Sequence, residues 1–344
     1  MARARRAQRI LDRYRPLVDD EIRSLLPSRG DTLLYEMIRY HLGYADIDGV
    51  PAQGAGGKRV RSALCLLACE AAGGDARLAA PAGAALELVH SFTLLHDDIA
   101  DRDEMRRGRT TVWKLWGIGH AITAGDALYA LANLAASRLS ARTSPDIAAA
   151  VLRELNQAVL EVCEGQELDI SYEKNLGLTD ADYMRMIGLK TAALFRATCG
   201  IGARVAGAGE AAAEALREFG AALGLAYQIR DDILGIWGDP GETGKPVGGD
   251  LRQNKRSLPI VLALRSEHPG LGASLLRRLS LGVPDADAAE IAGAMEAHGI
   301  RAECERRAKE HLARARESLV AADLRLRAVK DLRILSDYLA ERTR

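Results

Sequence analysis

Apolar residues recur at intervals of three and four along most of the 344-residue chain. Stretches 60–72, 80–105, 120–140, 144–170, 181–205, 211–237, 286–298 and 301–342 carry this spacing in Ala-, Leu-, Arg- and Glu-rich sequence. Each therefore predicts a helix with one buried face. Alternating β-branched residues are scarce, so the pattern predicts an all-α architecture. Breaks fall at Pro51–Gly57, Gly73–Gly74, Gly177–Thr179, Gly207–Gly209, Gly238–Gly249 and Pro269–Gly272. Thr179 with Asp182 three residues later has the form of a capping box opening a helix. No low-complexity linker divides the chain. It reads as one domain over residues 1–344, with residues 1–15 a basic N-terminal segment.

Composition narrows the function classes. Apolar residues make up 48% and charged residues 27%, enough for a sizeable core. Lys+Arg and Asp+Glu are both 47, and a dedicated nucleic-acid binder would carry a basic excess. Five cysteines form no CxxC pair, and Cys65 and Cys69 share a helix face as two core thiols. This suits a reducing cytoplasm. The basic start MARARRAQRILDRYR is followed by no apolar segment, and no run of 18 apolar residues predicts a membrane span. Only eight of the 47 basic residues are lysine, and four of them, Lys58, Lys190, Lys245 and Lys255, fall in the segments singled out next.

LLHDDIAD (94–101) and YQIRDDILG (227–235) each set an Asp pair near the end of an apolar helix. Carboxylates there oppose the helix dipole, and a bound cation would offset the cost. Asp97 and Asp101 are four apart and share a face. One, two and three turns earlier that face carries Thr93, His90 and Leu86. Hard oxygen ligands so spaced suit Mg²⁺ shared with phosphate. Arg102, Arg106, Arg107 and Arg109 follow at once, as a diphosphate site would need. A solvated acidic helix end is the plainer reading of DDxxD alone. In the second segment Asp231 and Asp232 are certain, position 235 is Gly, and Asp239 is a further candidate. Five glycines in 238–249 predict a mobile loop, with Lys245, Lys255 and Arg256 in or beyond it, either a cationic flap or an ordinary surface loop. QGAGGKRVR (53–61) puts Lys58 and Arg61 at a helix start that favours anions, or is simply a basic helix start. His90 reads equally as a core histidine, Lys190-Thr191 as a snorkelling pair, and Gln166 and Asp169 as a polar face. No Ser/His/Asp triad, zinc spacing or dinucleotide fingerprint is present.

The ordered set GGKRVR, LVHSFTLLHDDIADRDEMRRGRTT, GQELDI, KTAALF and YQIRDDILGIWGDPGETGKPVGGDLRQNKRSLP resembles the trans-type polyprenyl diphosphate synthases over residues 30–342. Within them it looks most like short-chain geranylgeranyl and farnesyl diphosphate synthases of actinobacterial type. The resemblance implies an isoprenoid-synthase helical bundle around a deep central cavity, a homodimer, and three Mg²⁺ per site. It implies metal ligation by Asp97, Asp101 and Asp231. Arg106, Lys190, Thr191, Gln228, Lys245 and Lys255 would contact an allylic diphosphate (dimethylallyl, geranyl or farnesyl). Lys58, Arg61, His90 and Arg107 would hold isopentenyl diphosphate. Asp97, Asp101, Asp231, Arg106, Lys190 and Lys245 would carry the catalysis, which is ionisation of the allylic diphosphate with Thr191 and Gln228 as nearby dipoles.

Three departures stand out: Gly235 for the last aspartate of the second motif, Thr110 for a common Pro, and Ser62 for the Pro that often follows RxR. A class I terpene cyclase would carry an N-D-x-x-S-x-x-x-E motif and lack the Lys58/Arg61/His90 set, and a non-catalytic regulatory subunit would lack first-motif aspartates. Phe92 and Thr93 lie five and four residues before Asp97, about 6–7.5 Å down the helix axis. In the resembling family one aromatic at the fifth position suits a C20 product, so the resemblance points to geranylgeranyl diphosphate, with farnesyl or C25 diphosphate as alternatives.

Overall fold

The computed structural model describes residues 2–27, 32–52, 56–173, 175, 177–238, 248–266, 268, 270–320 and 323–341. It is all-α but for one small hairpin among the described residues. The helices Val60–Ala71, Ile118–Ser137, Pro145–Tyr172, Glu210–Trp237 and Asp285–Ala297 follow the predicted stretches to within a few residues. Thr179 and Asp182 do form a capping box, which opens the helix Asp180–Ile187. That helix continues through a π turn, Gly188–Ala192, into Ala193–Val205.

Four features differ from the sequence pattern. The helix expected over 80–105 is Ala76–Ala100, followed by the hairpin Met105–Arg106/Arg109–Thr110. The run 301–342 is two helices, Ile300–Ser318 and Leu326–Ala340, and Arg325 anchors the second by donating its N–H to Ala71 O at 2.8 Å. The short helices Leu33–His41, Leu258–Leu264 and Leu271–Leu281 carry too few turns for a periodicity to show. The basic N-terminal segment is part of the helix Ala2–Leu25, whose Ile10, Leu11, Tyr14, Val18 and Ile22 are buried while Arg3, Arg5, Arg6 and Arg9 stay exposed.

The chain divides into two compact units. The first comprises residues 1–156, 198–214 and 323–332. At its centre Ala76–Ala100 packs along Ile118–Ser137 and Val60–Ala71. Small residues make that approach close: a Cβ on Gly83 would meet Leu66 Cδ1 at 2.6 Å, and one on Gly125 would meet the His96 ring. Ala76–Ala100 is long and apolar enough to cross a membrane, yet 72% of its most apolar window is buried inside the protein. That is the profile of a core helix. Cys65 and Cys69 are free, fully buried thiols. The second unit comprises residues 157–197, 215–322 and 333–344. Its core joins Tyr183, Ile187, Ile229, Ile233, Ile236, Leu258, Ile260, Ala288, Met295 and Cys304.

Candidate functional site

In the first unit, Ala76–Ala100 ends with its acidic residues sorted by depth. Asp97 and Asp101 are half-exposed, while Asp98 between them is 1% exposed. Asp98 faces Arg106, whose Nε donates to its Oδ1, and its Oδ2 is buried without a hydrogen-bond partner among the described residues. Burial pushes the Asp98 carboxyl up to about 6 against the pull of Arg106. Arg102 ends the helix in the left-handed region at φ 55. Asp103 then donates its N–H to Asp98 O at 2.9 Å, while Thr111 Oγ1 and Trp113 Nε1 each donate to Asp103 O at 2.8 Å.

The hairpin pairs Met105 with Thr110 and Arg106 with Arg109, leaving Arg107-Gly108 as a two-residue turn with φ of 53 and 73. Two positive φ values match the right-handed strand twist, and Arg rather than Gly at the first costs about 1 kcal/mol. The turn separates the two arginines. Arg106 lies against Asp98, whereas the Arg107 guanidinium lies over Gly57, where a Cβ would meet it at 2.7 Å. Gly57 directly precedes exposed Lys58. Half-buried His90 is held well below its ordinary value by burial and then by Arg61, Arg107, Arg106 and His41. Arg61, His90 and Arg107 are therefore brought together beside Lys58. Arg109, counted among the phosphate arginines from sequence, instead donates to Tyr40 O and Ala45 O at 2.8 Å and lies 3.8 Å over the Tyr40 ring. It holds the hairpin rather than an anion.

Behind this cluster Arg59 sits in the left-handed region at φ 54, 4% exposed, with Nε on Asp19 Oδ1 at 3.0 Å and Nη1 at 3.9 Å from Glu87. Ser62 donates to Glu87 Oε1 through both N–H (3.0 Å) and hydroxyl (3.1 Å). A proline there would have no N–H to give, so this departure from the family pattern has a structural use.

In the second unit, the π turn carries Lys190 and Thr191. A π turn adds one residue and redirects side chains, and such turns are frequent at functional sites. Lys190 Nζ bonds Asp169 Oδ2 at 2.5 Å. Gly165 lies so close beneath it that a Cβ would overlap Lys190 N and sit 2.6 Å from its Cα. Gln166 Oε1 is buried with no partner among the described residues. Thr191 Oγ1 donates to Gln228 Oε1 (2.8 Å), and Gln228 Nε2 donates to Asp232 Oδ1 (2.9 Å). Asp232 also accepts from Tyr183 OH and from Leu258 N–H at 2.7 Å. Burial and then Asp250 push its carboxyl up to about 7, against these hydrogen bonds. Asp231 beside it is exposed. Lys255 is half-buried and donates its N–H to Asp250 O at 3.0 Å. Lys245, Asp239 and most of the glycine-rich segment lie outside the described residues.

Phe92, half-buried in the first unit, packs edge-on to His96 and tilted against Tyr129, with centroids at 5.2 and 5.6 Å. Thr93 turns its hydroxyl to His90 O at 2.9 Å. His41 was not marked by the sequence, because its short helix shows no periodicity. It sits beside Arg106 and Arg107 with Nε2 buried and unpartnered among the described residues, and burial with the two arginines pushes it down to about 3. Asp98 and Asp232 were visible only as second members of acidic pairs.

Among the described residues no three acidic, His or Cys side chains are close enough to enclose a metal ion. Half-exposed Asp97 and Asp101, and exposed Asp231, suit a cation that keeps several waters and shares phosphate oxygens, as Mg²⁺ does.

A family model described as polyprenyl synthetase matches residues 51–295. The chain is 49% identical over 233 residues to a geranylgeranyl diphosphate synthase of Mycobacterium tuberculosis, covering 68% of this chain and 66% of that protein. It is 37% identical over 347 residues to a (2E,6E)-farnesyl diphosphate synthase of Mycobacterium bovis, covering 98% and 94%. A crystal structure of a polyprenyl synthase from Caulobacter crescentus, complexed with calcium and isoprenyl diphosphate, superposes with a TM-score of 0.85 at 29% identity, covering 98% of both chains.

Proposed function

The chain belongs to the polyprenyl synthetase family, and from that premise we propose that it is a short-chain trans-prenyltransferase making geranylgeranyl diphosphate. It condenses isopentenyl diphosphate with dimethylallyl, geranyl or farnesyl diphosphate, and the whole chain acts as one synthase domain. The observation that carries this reading is on the helix Ala76–Ala100. Outward Asp97 and Asp101 lie at its end, and His90, two turns earlier, is set among Arg61, Arg106 and Arg107. That juxtaposes a cation-binding pair with a cluster for a second anion.

Asp97, Asp101 and Asp231 are the residues that would hold Mg²⁺, three ions per site by the family pattern. When bound, Mg²⁺ neutralises charge on the departing pyrophosphate. Arg106, Lys190, Lys245 and Lys255 add fixed cationic charge for the allylic diphosphate as its C–O bond breaks and pyrophosphate leaves with the electron pair. Thr191 and Gln228 are locked to each other, so the Gln228 carbonyl dipole is oriented before the allylic cation forms. Lys58, Arg61, His90 and Arg107 hold isopentenyl diphosphate, whose double bond supplies the electron pair of the new C–C bond. A proton is then lost, with pyrophosphate as its acceptor. His90 serves as a neutral hydrogen-bonding group, since burial and its arginine neighbours keep it unprotonated.

Phe92, propped by His96 and Tyr129, is the residue that would set the floor for the growing chain, with small Thr93 beside it. The 49% identity to a geranylgeranyl diphosphate synthase supports C20. A homodimeric, cytoplasmic enzyme fits the family and the free thiols. The test is incubation of purified protein with Mg²⁺, isopentenyl diphosphate and each allylic primer, with products read by chain length. A C20 product supports the reading, and no chain extension from any primer refutes it.

A further inference from the structure

The N-terminal helix Ala2–Leu25 meets the segment around Lys58 at two points one turn apart. Asp19 accepts from Arg59 Nε at 3.0 Å and from Tyr44 OH at 2.8 Å. Arg15, four residues earlier on the same helix face, donates from Nη2 to Gly57 O at 3.4 Å. The two grips fall on either side of Lys58. The Arg107 guanidinium lies over the same Gly57, so Arg15 joins the neighbourhood of Lys58, Arg61, His90 and Arg107. We propose that Arg15 is a further residue of the isopentenyl diphosphate site, donating to that diphosphate from the N-terminal helix. This rests on the reading above that Lys58, Arg61, His90 and Arg107 hold that substrate.

The two grips differ in kind. Asp19 is a fixed anchor, because its partner Arg59 is buried and donates also to Leu42 O at 3.3 Å. Arg15 is half-buried, and its contact with Gly57 O is long for a hydrogen bond. Its Nε is buried and meets no acceptor among the described residues. No carboxylate among those residues forms an ion pair with it either. A guanidinium carries five N–H donors, so one loose carbonyl contact leaves donors for a ligand. Two guanidiniums at one glycine also repel each other. A diphosphate beside them offsets that repulsion, and paired charge-assisted bonds to phosphate oxygens suit the guanidinium fork. The other basic residues in the first half of this helix lack such a place: Arg3, Arg5, Arg6 and Arg9 are exposed, and Arg13 pairs with Asp331 at 2.9 Å.

The experiment is steady-state kinetics of the purified full-length protein, with each substrate varied in turn at saturating Mg²⁺. Arg15→Gln keeps an N–H for Gly57 O and removes the charge. It raises KM for isopentenyl diphosphate about 10–100-fold, as loss of a hydrogen bond to a charged group does, while KM for the allylic primer and the melting temperature stay at wild-type values. Arg15→Lys, which keeps the charge, falls between Arg15→Gln and wild type. An unchanged KM for isopentenyl diphosphate in Arg15→Gln overturns the proposal, as does a lysine variant weaker than the glutamine one. A rise in both KM values with a lower melting temperature also overturns it, because Arg15 is then a strap for the fold only. If Arg15→Gln does not fold, the wild type is labelled with phenylglyoxal. Isopentenyl diphosphate then protects Arg15 along with Arg61, and an Arg15 labelled equally fast with and without it overturns the proposal. Arg61→Ala separates the two ideas. A raised KM for isopentenyl diphosphate there with none in Arg15→Gln leaves the enzyme reading standing and this proposal refuted. No chain extension by the wild type refutes both.

Discussion

Replacing Gly165 by alanine adds one methyl group beneath the π turn that carries Lys190 and Thr191. The atoms it would meet are backbone: Lys190 N, Lys190 Cα at 2.6 Å and Leu189 C at 2.8 Å. No flexible side chain can swing away, so the helices must part by about 1 Å to restore ordinary contact in a close-packed interior. Overpacking of this kind costs about 1–3 kcal/mol, offset by about 0.5–1 kcal/mol from the better helix propensity of alanine. The larger consequence is catalytic. A displacement of about 1 Å at a positioning group costs about 10²-fold in rate, and the displaced groups here are the Lys190 ammonium, held by Asp169, and the Thr191 hydroxyl, held by Gln228. Steady-state kinetics with each substrate varied in turn should show kcat down by about 10²-fold and KM for isopentenyl diphosphate unchanged. Gly188→Ala is the control. It lies in the same π turn, but a Cβ there meets nothing within 4 Å, so it should keep wild-type kinetics and gain up to about 1 kcal/mol of stability. A Gly165→Ala enzyme with wild-type kcat, or two alanine variants that behave alike, refutes the reasoning.

Asp97→Asn, Asp101→Asn and Asp231→Asn should each lower turnover by about 10²-fold or more, since lost transition-state charge stabilisation is worth several kcal/mol. A near-full rate in Asp97→Asn would remove it from the metal site. Arg61→Ala and His90→Ala should mainly raise KM for isopentenyl diphosphate, and Lys190→Ala should act on the allylic primer and turnover; identical kinetic profiles would refute separate sites. Phe92→Ala should lengthen the main product and Thr93→Phe shorten it, read by product chromatography, and an unchanged distribution in active Phe92→Ala would refute the floor. The imidazoles of His41 and His90 should stay neutral in NMR titrations from pH 8 to 5. The unfolded chain protonates them near about 6.5 and the folded chain does not, so acidification through that range lowers stability through these groups; a midpoint near 6.5 in either ring would refute this. Ser62→Pro, although it restores a residue common in the family, should cost about 1–3 kcal/mol by stripping hydrogen bonds from buried Glu87, measured by chemical denaturation.

Long amphipathic helices were legible in the sequence because their spacing is a direct image of one buried face. Leu33–His41 and Leu258–Leu264 were not, because helices this short show too few turns. The break between Ser318 and Leu326 was hidden because helical spacing resumes beyond it, and the tertiary bond from Arg325 N–H to Ala71 O at the start of the second helix leaves no mark on that spacing. At the site, spacing placed Asp97 and Asp101 on one face, and the order of motifs singled out Lys190 and His90. What spacing cannot encode is partner choice. Nothing local sends Arg106 to Asp98 and Arg107 to Gly57, because the sorting depends on two positive φ values at the hairpin turn. Arg15 was equally hidden, since its relation to Gly57 exists only through space.

Each acidic pair contains two unlike residues. Asp97 and Asp231 reach outward, whereas Asp98 is spent on Arg106, and Asp232 on Tyr183, Gln228 and the Leu258 N–H. The twin letters DD thus encode a tool and its handle. A scan that treats the dipeptide as one ligand unit would merge two phenotypes that titration with metal would tell apart: variants of the first member should be rescued in part by excess Mg²⁺, and variants of the second should not, because what they lose is the grip that aims the first. Counting aspartates in such a motif overstates the charge available to a cation, and the surplus belongs to the fold.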